Sequence, residues 1–265
     1  MPWLGYGTYK AKSEECIEGV KEALKAGYKH IDTASFYGNE ESVGIAIKES
    51  NIERKDIFLV SKVWNEDQGY DNTLRSFEAS IKALNTDYLD LYLIHWPLKI
   101  SRETWRAMEK IYLEGKVRAI GVSNFNIEHL KYVMNNCEVI PMVNQVEFHP
   151  ELIQHELINF CKNNKIQMEA WSPLMRGRVL QIPLFKNLSE KYNKTISQIV
   201  LRWDLQMGFV TIPKSTNPER IKENTGIFDF ELSNEDMLEI EKLNAGLRIG
   251  MDPDDIFNDI SKIKG

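Results

Sequence analysis

The sequence predicts an α/β protein built as a single (β/α)8 TIM barrel. Three observations support this prediction. Short apolar or β-branched runs alternate with longer stretches of helical spacing, which is the pattern of parallel βα units. Eight such runs occur, at residues 4–8, 29–32, 57–62, 89–95, 117–122, 142–147, 167–170 and 209–212. No long linker or Pro/Gly/Ser-rich hinge divides the chain, so the eight units favour one closed barrel over an open, doubly wound sheet.

The segments between the apolar runs have the periodicity of helices that pack one face against a sheet. Examples cover residues 13–26, 73–84, 127–135 and 152–163. Ser13 is the predicted N-cap of the first helix, and Gly27 follows its predicted end. A last helical stretch, 234–245, precedes a C-terminal tail that begins at Gly246. We therefore expect one domain over residues 1–265, with a tail.

Composition and charge exclude several classes of protein. With 43% hydrophobic and 27% charged residues, the chain has a globular composition and not a disordered one. Its net charge of −6 argues against a broad basic surface for nucleic acid. No apolar run reaches the ~18 residues that a membrane helix needs. The three cysteines form no CxxC pair and no secretory signal is present, so we expect a cytoplasmic protein without a structural metal.

Polar or aromatic residues stand at the ends of seven consecutive predicted strands. They are Asp32, Lys62, His95, Ser123, Asn124, Gln145, Glu147, Trp171, Ser172, Lys214 and Ser215. In a closed barrel the carboxyl ends of all strands meet at one face, and that face carries the active site of barrel enzymes. One such residue alone would be typical of an ordinary solvated loop. Seven strands in succession favour a single shared cleft.

Asp32, Tyr37, Lys62 and His95 together have the chemistry to protonate an alkoxide that forms from a carbonyl. A phenol is a poor acid at neutral pH, and a neighbouring ammonium lowers its pKa. We expect Lys62 to supply this ammonium to Tyr37, with Asp32 holding the lysine in place. His95 is expected to donate a hydrogen bond to the substrate oxygen. None of the four donates electrons, so a cofactor must do so, and nicotinamide is the natural candidate.

A basic segment near the eighth predicted strand suits an anion. Lys214 and Ser215 stand beside a predicted helix start, with Arg220 shortly after, where side chains and free backbone N–H groups favour phosphate. The glycine-rich segment Gly5-Tyr6-Gly7 lacks the third glycine and the following helix of a dinucleotide loop. A nicotinamide cofactor would therefore bind without a Rossmann domain.

Six motifs occur in order, each at a predicted strand end. They are LGYGT (4–8), DTASFYGNE (32–40), LVSK (59–62), DYLDLYLIHWP (87–97), IGVSNF (120–125) and IPKS (212–215), the last followed by residues 220–224. Together they make the chain resemble the aldo-keto reductases from residue 4 to about residue 246. VWNEDQG (63–69) and NQVEFHP (144–150) look like the bacterial glyoxal and methylglyoxal reductases, of which diketogluconate reductases are close relatives.

The resemblance implies NADPH-dependent reduction of small aldehydes, dicarbonyls or keto sugars by a monomeric enzyme, with Tyr37 as the proton donor. NADPH/NADP+ is implied in preference to NADH because three residues match the adenosine 2′-phosphate site: Lys214, Ser215 and Arg220. The nicotinamide end is implied to contact Ser123, Asn124, Gln145 and, by ring stacking, Trp171. Other implied cofactor contacts are Gly7, Thr8, Ser172, Leu174, Glu223 and Asn224. The implied apolar walls of the substrate pocket are Tyr9, Trp64 and Trp96.

Two features depart from the family pattern. Members usually begin with a hairpin that plugs the N-terminal mouth of the barrel, and this hairpin is apparently absent because the first strand follows residues 1–3 directly. The loop after His95 reaches the next helix by about Arg102, and this short loop predicts an open pocket for small polar carbonyls. His149 and His155 are interpreted as helix-entry and surface residues and not as metal ligands.

Two other functions are compatible with parts of the pattern. A Schiff-base aldolase on the same barrel would use Lys62 as its nucleophile, but it leaves Trp171 and Lys214 without a role. A non-catalytic NADP(H)-sensing barrel would keep the fold and the cofactor site for partner binding. Carbonyl reduction accounts for more of the residues than either alternative.

Overall fold

A computed structural model describes residues 1–259, in which eight parallel strands follow one another in sequence order. The strands are β1 (Tyr6–Gly7), β2 (His30–Asp32), β3 (Phe58–Val63), β4 (Leu91–Ile94), β5 (Ile120–Ser123), β6 (Val143–Glu147), β7 (Gln167–Trp171) and β8 (Val210–Thr211). Each strand pairs in parallel with the next.

The barrel closes between β8 and the segment that leads into β1. Leu4 forms a parallel bridge with Thr211, whose N–H donates to the Trp3 carbonyl at 3.0 Å. The Gly5 N–H donates back to the Thr211 carbonyl at 2.9 Å. Closure removes the exposed sheet edges that would otherwise template association. The predicted (β/α)8 fold is therefore confirmed.

Helices surround the barrel, and those that precede the last strand connect successive strands. They are α1 (Ser13–Lys25), α2 (Glu40–Glu49), α3 (Tyr70–Ala83), α4 (Ser101–Leu113), α5 (Ile127–Met134), α6 (His155–Asn163), α7 (Pro183–Tyr192), α8 (Ile196–Gln206), α9 (Pro218–Glu223), α10 (Asn234–Glu241) and α11 (Pro253–Asn258). The connection between β7 and β8 holds two helices, α7 and α8, which accounts for its length. Across residues 1–259, no helix combines the length and the apolar character that crossing a membrane requires.

Helix α1 ends where the sequence predicts but has a different N-cap. Gly27 lies just beyond the helix with φ 98°, so the predicted stop is confirmed. The predicted N-cap is wrong, because Ser13 is the first helical residue and Lys12 occupies the N-cap position without a side-chain hydrogen bond. Ser13 itself has a positive φ of 44°, a geometry that local sequence does not signal.

Side chains on the two faces of each strand enter different environments, because successive residues of a strand point to opposite faces. Residues such as Ile31 and Leu59 belong to the large hydrophobic core under the helices. On the other face, Val60, Leu91, Leu93 and Val143 form a small apolar cluster. The alternation also places buried polar residues on that inner face, namely His30, Asp32, Lys62, Gln145 and Glu169.

Candidate active site

The carboxyl ends of the strands border one cavity of about 1060 Å³. Its lining includes eighteen of the predicted site residues: Gly7, Tyr9, Asp32, Tyr37, Trp64, His95, Trp96, Ser123, Asn124, Gln145, Trp171, Ser172, Leu174, Lys214, Ser215, Arg220, Glu223 and Asn224. Thr8 is buried beside this lining, where its hydroxyl donates to the Asp32 carbonyl at 3.0 Å. Lys62 lies behind the lining and is also fully buried.

Lys62 is the centre of the catalytic candidates. Its Nζ donates to Asp32 Oδ1 at 2.7 Å, to the Thr33 carbonyl at 2.9 Å and to the Tyr37 hydroxyl at 3.4 Å. Tyr37 ends a short 3-10 turn after β2, and Ser35 ties this turn to β3 by donating to the Lys62 carbonyl at 2.9 Å. The chain thus brings a phenol, an ammonium and a carboxylate from two neighbouring strands into direct contact.

Burial dominates the electrostatics of this group. It raises the pKa of Tyr37 to about 12, and the Lys62 ammonium offsets only part of that rise. Lys62 thus lowers the pKa of Tyr37 as predicted, but the effect of burial is larger and the net shift is upward. Burial by itself would lower the pKa of Lys62, but Asp32 and Tyr37 raise it above the ordinary value. The lysine consequently remains an ammonium and the tyrosine keeps its proton.

His95 borders the same end of the cavity. Burial, reinforced by the Lys62 ammonium, holds the pKa of His95 well below its ordinary value. The imidazole is therefore neutral, and it packs edge-on against the Tyr37 ring with centroids 5.6 Å apart. A neutral imidazole carries one N–H and can act as a hydrogen-bond donor to a carbonyl oxygen.

The ends of β4, β5 and β7 are tied together by Asn124. Its Nδ2 donates to the His95 carbonyl at 2.9 Å and to Ser123 Oγ at 3.1 Å, while its Oδ1 accepts from Trp171 Nε1 at 2.8 Å. Asn124 and Ser172 have positive φ values of 65° and 54°. Left-handed backbone at residues other than glycine is a strained geometry that clusters at functional sites.

Gln145 is bound to two carboxyl groups. Its Nε2 donates to Asp32 Oδ2 at 2.8 Å and to Glu169 Oε2 at 3.1 Å. Glu169 was not among the predicted site residues, although a glutamate inside a predicted buried strand is a signal in the sequence. This residue extends the polar group from the cavity into the barrel interior.

Part of the cavity lining is basic. Lys214 and Arg220 line it, and among residues 1–259 neither forms an ion pair with a carboxylate. The backbone N–H groups at the start of α9 are taken, because Asn217 Oδ1 accepts from Glu219 at 2.9 Å and from Arg220 at 3.1 Å. The expectation that these amides are free for an anion is therefore wrong. These two amides therefore do not contribute to an anion site, whereas the side chains of Lys214 and Arg220 can.

Aromatic rings form one wall of the cavity beside Tyr37. Phe36 stacks on Trp64 with ring centroids 3.7 Å apart, and Tyr9 packs against Tyr37 at 5.0 Å. Phe36 was not among the predicted residues, although it directly precedes Tyr37. Together with Trp96, these rings make the wall mainly apolar.

The C-terminal tail closes another side of the cavity. Ile249, Gly250 and Met251 line it, and Glu147 holds the tail by accepting from the Ile249 N–H at 2.6 Å and the Gly250 N–H at 3.1 Å. A Cβ at Gly250 would lie 2.5 Å from Trp171 Cη2, so only glycine fits this approach. The short loop after His95 predicts an open pocket, but the tail forms one wall of the cavity.

The two histidines after β6 lie in different environments. His155 starts α6 and is exposed, as predicted, whereas His149 is fully buried with its Nε2 3.1 Å from Glu147 Oε1. The prediction of a surface position for His149 is therefore wrong. In the part of the chain that the structure describes, no group of three or more His, Cys, Asp or Glu side chains is arranged to hold a metal ion.

A closed barrel with a lysine, a tyrosine and an aspartate in contact at its carboxyl face defines the class of this protein. The aldo/keto reductase family model matches residues 3–245, and the chain belongs to that family of oxidoreductases. Glyoxal reductase of Bacillus subtilis (strain 168) is 56% identical over 259 residues, which cover 97% of this chain and 94% of that protein.

Solved structures are similar throughout the fold. An aldo-keto reductase enzyme from a Medee basin deep-sea metagenome library superposes with a TM-score of 0.94 at 50% identity, covering 96% of this chain and 95% of the other. An aldo-keto reductase of Bombyx mori in complex with NADP has a TM-score of 0.91 at 34% identity, covering 96% of this chain and 93% of the other.

Proposed function

We propose that the chain catalyses NADPH-dependent reduction of small aldehydes, dicarbonyls of the glyoxal and methylglyoxal type, or keto sugars to alcohols. The observation that carries this proposal is the contact of Lys62 Nζ with the Tyr37 hydroxyl at 3.4 Å and with Asp32 Oδ1 at 2.7 Å. This contact supports Tyr37 as the proton donor with Lys62 as its supporting charge, at a cavity whose lining also includes Lys214 and Arg220.

The residues of the cavity fit a dinucleotide phosphate. Trp171 is held by its bond to Asn124 and borders the cavity, where its ring can stack on nicotinamide. Lys214 and Arg220, which lack carboxylate partners in the described chain, supply positive charge for the 2′-phosphate. Ser123, Asn124 and Gln145 offer polar groups to the nicotinamide carboxamide. The Bacillus glyoxal reductase and the NADP complex of the Bombyx mori enzyme support the same assignment.

Four side chains carry out the proton transfer. A nicotinamide bound in the cavity would supply a hydride for the carbonyl carbon, and the carbonyl oxygen would then become an alkoxide that needs a proton. The Tyr37 hydroxyl, whose pKa is about 12, donates its proton to that oxygen because an alkoxide is the stronger base. Lys62 stabilises the resulting phenolate, and Asp32 keeps Lys62 in place. Neutral His95 donates a hydrogen bond that orients the carbonyl.

The walls of the cavity favour small carbonyl compounds. Aromatic rings bound one side near Tyr37, and the tail residues Ile249, Gly250 and Met251 bound another. A large rigid substrate would have to displace the tail, which Glu147 holds through two backbone hydrogen bonds. We therefore expect small substrates to turn over faster than steroid ketones.

The aldolase alternative is opposed by the environment of Lys62. A Schiff-base nucleophile must be a neutral amine, whereas Asp32 and Tyr37 raise the pKa of Lys62 and its three N–H groups have acceptors. The sensing alternative is opposed by the presence of a complete proton-transfer group at the cavity. Neither alternative uses Tyr37, Lys62 and His95 together.

The proposal is tested by NADPH oxidation over a panel that contains methylglyoxal, glyoxal, a nitrobenzaldehyde, a diketogluconate and a steroid ketone. We expect turnover with the small carbonyls and a clear preference for NADPH over NADH. Borohydride trapping of a substrate on Lys62 would support the aldolase instead. Micromolar NADPH binding without turnover of any carbonyl would support the sensing barrel.

A further inference from the structure

Glu169 is a fully buried carboxyl group that the proposed reaction does not use. It lies on β7, where it is the register partner of Gln145 on β6. Its Oε2 accepts from Gln145 Nε2 at 3.1 Å, and its Oε1 lies 3.4 Å from His30 Nε2. Glu169 therefore joins the inner face of β2 to the residue that we place at the nicotinamide carboxamide.

The charges around Glu169 favour a neutral carboxyl. Asp32 and Glu169 share Gln145, and Lys62 is the cation that faces them, so two ionised carboxylates would leave an excess negative charge in the barrel. Burial raises the pKa of Glu169 to about 8, and the Asp32 carboxylate adds to this rise. Burial also lowers the pKa of His30 to about 4, so this neighbour is neutral.

His30 Nε2 on β2 and Glu169 Oε1 on β7 face each other inside the barrel. Within residues 1–259, His30 Nε2 and Glu169 Oε1 are both buried without a geometrically formed hydrogen bond. A carboxyl proton on Oε1 can be donated to the unprotonated nitrogen of a neutral imidazole across the 3.4 Å separation. One proton would thus satisfy two buried polar atoms that otherwise have no partner.

The neutral carboxyl has a direct consequence for Gln145. The Nε2 of this side chain has two N–H groups, and they are directed to Asp32 Oδ2 and Glu169 Oε2. Its remaining polar atom is the acceptor Oε1, and the side chain borders the cavity. A carboxamide N–H is a donor of the kind that this oxygen requires.

We propose that Glu169 is a positioning residue, which as a neutral carboxyl fixes the Gln145 amide with Oε1 toward the cavity and so selects a cofactor that carries a carboxamide N–H. This inference rests on the proposed function, because it requires that a nicotinamide cofactor binds in the cavity. Glu169 touches neither substrate nor cofactor and acts through Gln145.

The test compares two cofactors in binding titrations followed by tryptophan fluorescence or calorimetry. The probes are NADP+ and its 3-acetylpyridine analogue, which has an acetyl group in place of the carboxamide and therefore lacks the N–H. We expect the wild type to bind NADP+ about tenfold more tightly, which is the effect of about one hydrogen bond. In Glu169→Leu the preference should fall to about twofold or less, because Gln145 is free to turn its N–H groups outward.

Glu169→Gln is the conservative variant. A glutamine can accept from Gln145 and donate to His30, as the neutral carboxyl does, so its cofactor preference should stay within about twofold of the wild type. Asp204→Leu is the matched control. Asp204 is another fully buried carboxyl, bound to Thr211 at 2.7 Å, and it does not line the cavity, so its loss should lower stability without changing the preference.

Two results would overturn the inference about Glu169. A wild-type cofactor preference in folded Glu169→Leu would show that this residue only packs the barrel. Loss of the preference in Glu169→Gln would show that a charge is required, and this variant decides the question if Glu169→Leu does not fold. Failure of the proposed function is distinguishable, because the wild type would then either bind neither nucleotide or bind NADPH without turning over any carbonyl of the panel.

Discussion

The two faces of the barrel wall differ in composition although the same strands form both. The outer face packs on the helices through a continuous hydrophobic core that includes Trp105, Trp203 and Phe77. The inner face has only a small apolar cluster, and much of the rest is polar or charged, including Asp32 and Lys62.

This difference separates stability from chemistry. Apolar burial between strands and helices stabilises the fold, whereas burying charges such as Lys62 and Asp32 costs desolvation energy that their direct contact has to offset. A charged interior is therefore retained for what it does at the carboxyl face. Substitutions on the inner face should change activity first, and those on the outer face should change stability first.

The largest expected effect comes from the carboxyl end of the inner face, at the proposed proton donor in the turn after β2. Tyr37→Phe removes the hydroxyl next to Lys62 and should lower turnover by about 10²- to 10⁴-fold. NADPH binding and thermal stability should stay close to the wild type, because the ring remains. Steady-state kinetics and a binding titration check this, and wild-type turnover by the variant would contradict the proposed mechanism.

On the outer face, Trp203→Ala should lower the free energy of unfolding by about 3–5 kcal/mol. Trp203 is fully buried on α8 and stacks on Phe148 with centroids 4.8 Å apart. Denaturant unfolding measures the loss, while kcat per folded molecule should remain unchanged. Leu238→Ala is the control, since this leucine on α10 is 58% exposed and its loss should change stability by less than about 0.5 kcal/mol.

The basic part of the cavity lining should show a smaller and more selective effect. Arg220 is exposed and has no carboxylate partner within the described residues, so Arg220→Ala should leave stability unchanged. It should raise KM for NADPH about tenfold and leave KM for NADH unaltered, since one charge-assisted hydrogen bond to phosphate is lost. Equal changes for both cofactors would place the 2′-phosphate elsewhere.

The smallest expected effect is a pH dependence of stability that originates at Glu169. Its pKa in the folded protein, about 8, lies above that of an unfolded glutamate, so the folded state holds more protons and stability falls as pH rises through about 8. His30, with a folded pKa of about 4, has already lost its proton in the window from pH 6.5 to 8. Between pH 6.5 and pH 8, the free energy of unfolding of the wild type should fall by about 1–2 kcal/mol more than that of Glu169→Gln. If the wild type and Glu169→Gln lost the same stability between pH 6.5 and pH 8, Glu169 would not carry a proton in the folded protein.

Much of the contrast between the inner and outer faces of the barrel could be predicted from sequence, because strand periodicity and strand ends are local features. The runs that end at Asp32, Lys62 and His95 placed these residues at one face once a closed barrel was inferred. The cap of α9 is also a local feature, since Asn217 precedes Pro218, which is a typical helix start, and an N-cap side chain occupies the first helical amides.

Other features depend on contacts between distant segments. The tail gives no periodic signal, and its position over the cavity follows from Glu147, about one hundred residues earlier in the chain. The pKa of Tyr37 depends on how completely the fold excludes water, which residue type and spacing do not encode. Glu169 is one glutamate in a short apolar run, and its partners Gln145 and His30 come from other strands, so the sequence does not reveal these contacts.

The central claim is that the inner face delivers a proton to a carbonyl oxygen while a bound nicotinamide supplies the hydride. The most direct measurement is label transfer from NADPH deuterated at C4 of the nicotinamide to glyoxal, followed by mass spectrometry of the product. The wild type should place deuterium on the carbon that becomes the alcohol, and Tyr37→Phe should bind the cofactor but transfer little label. No label in the wild-type product, or undiminished transfer by Tyr37→Phe, would contradict the account.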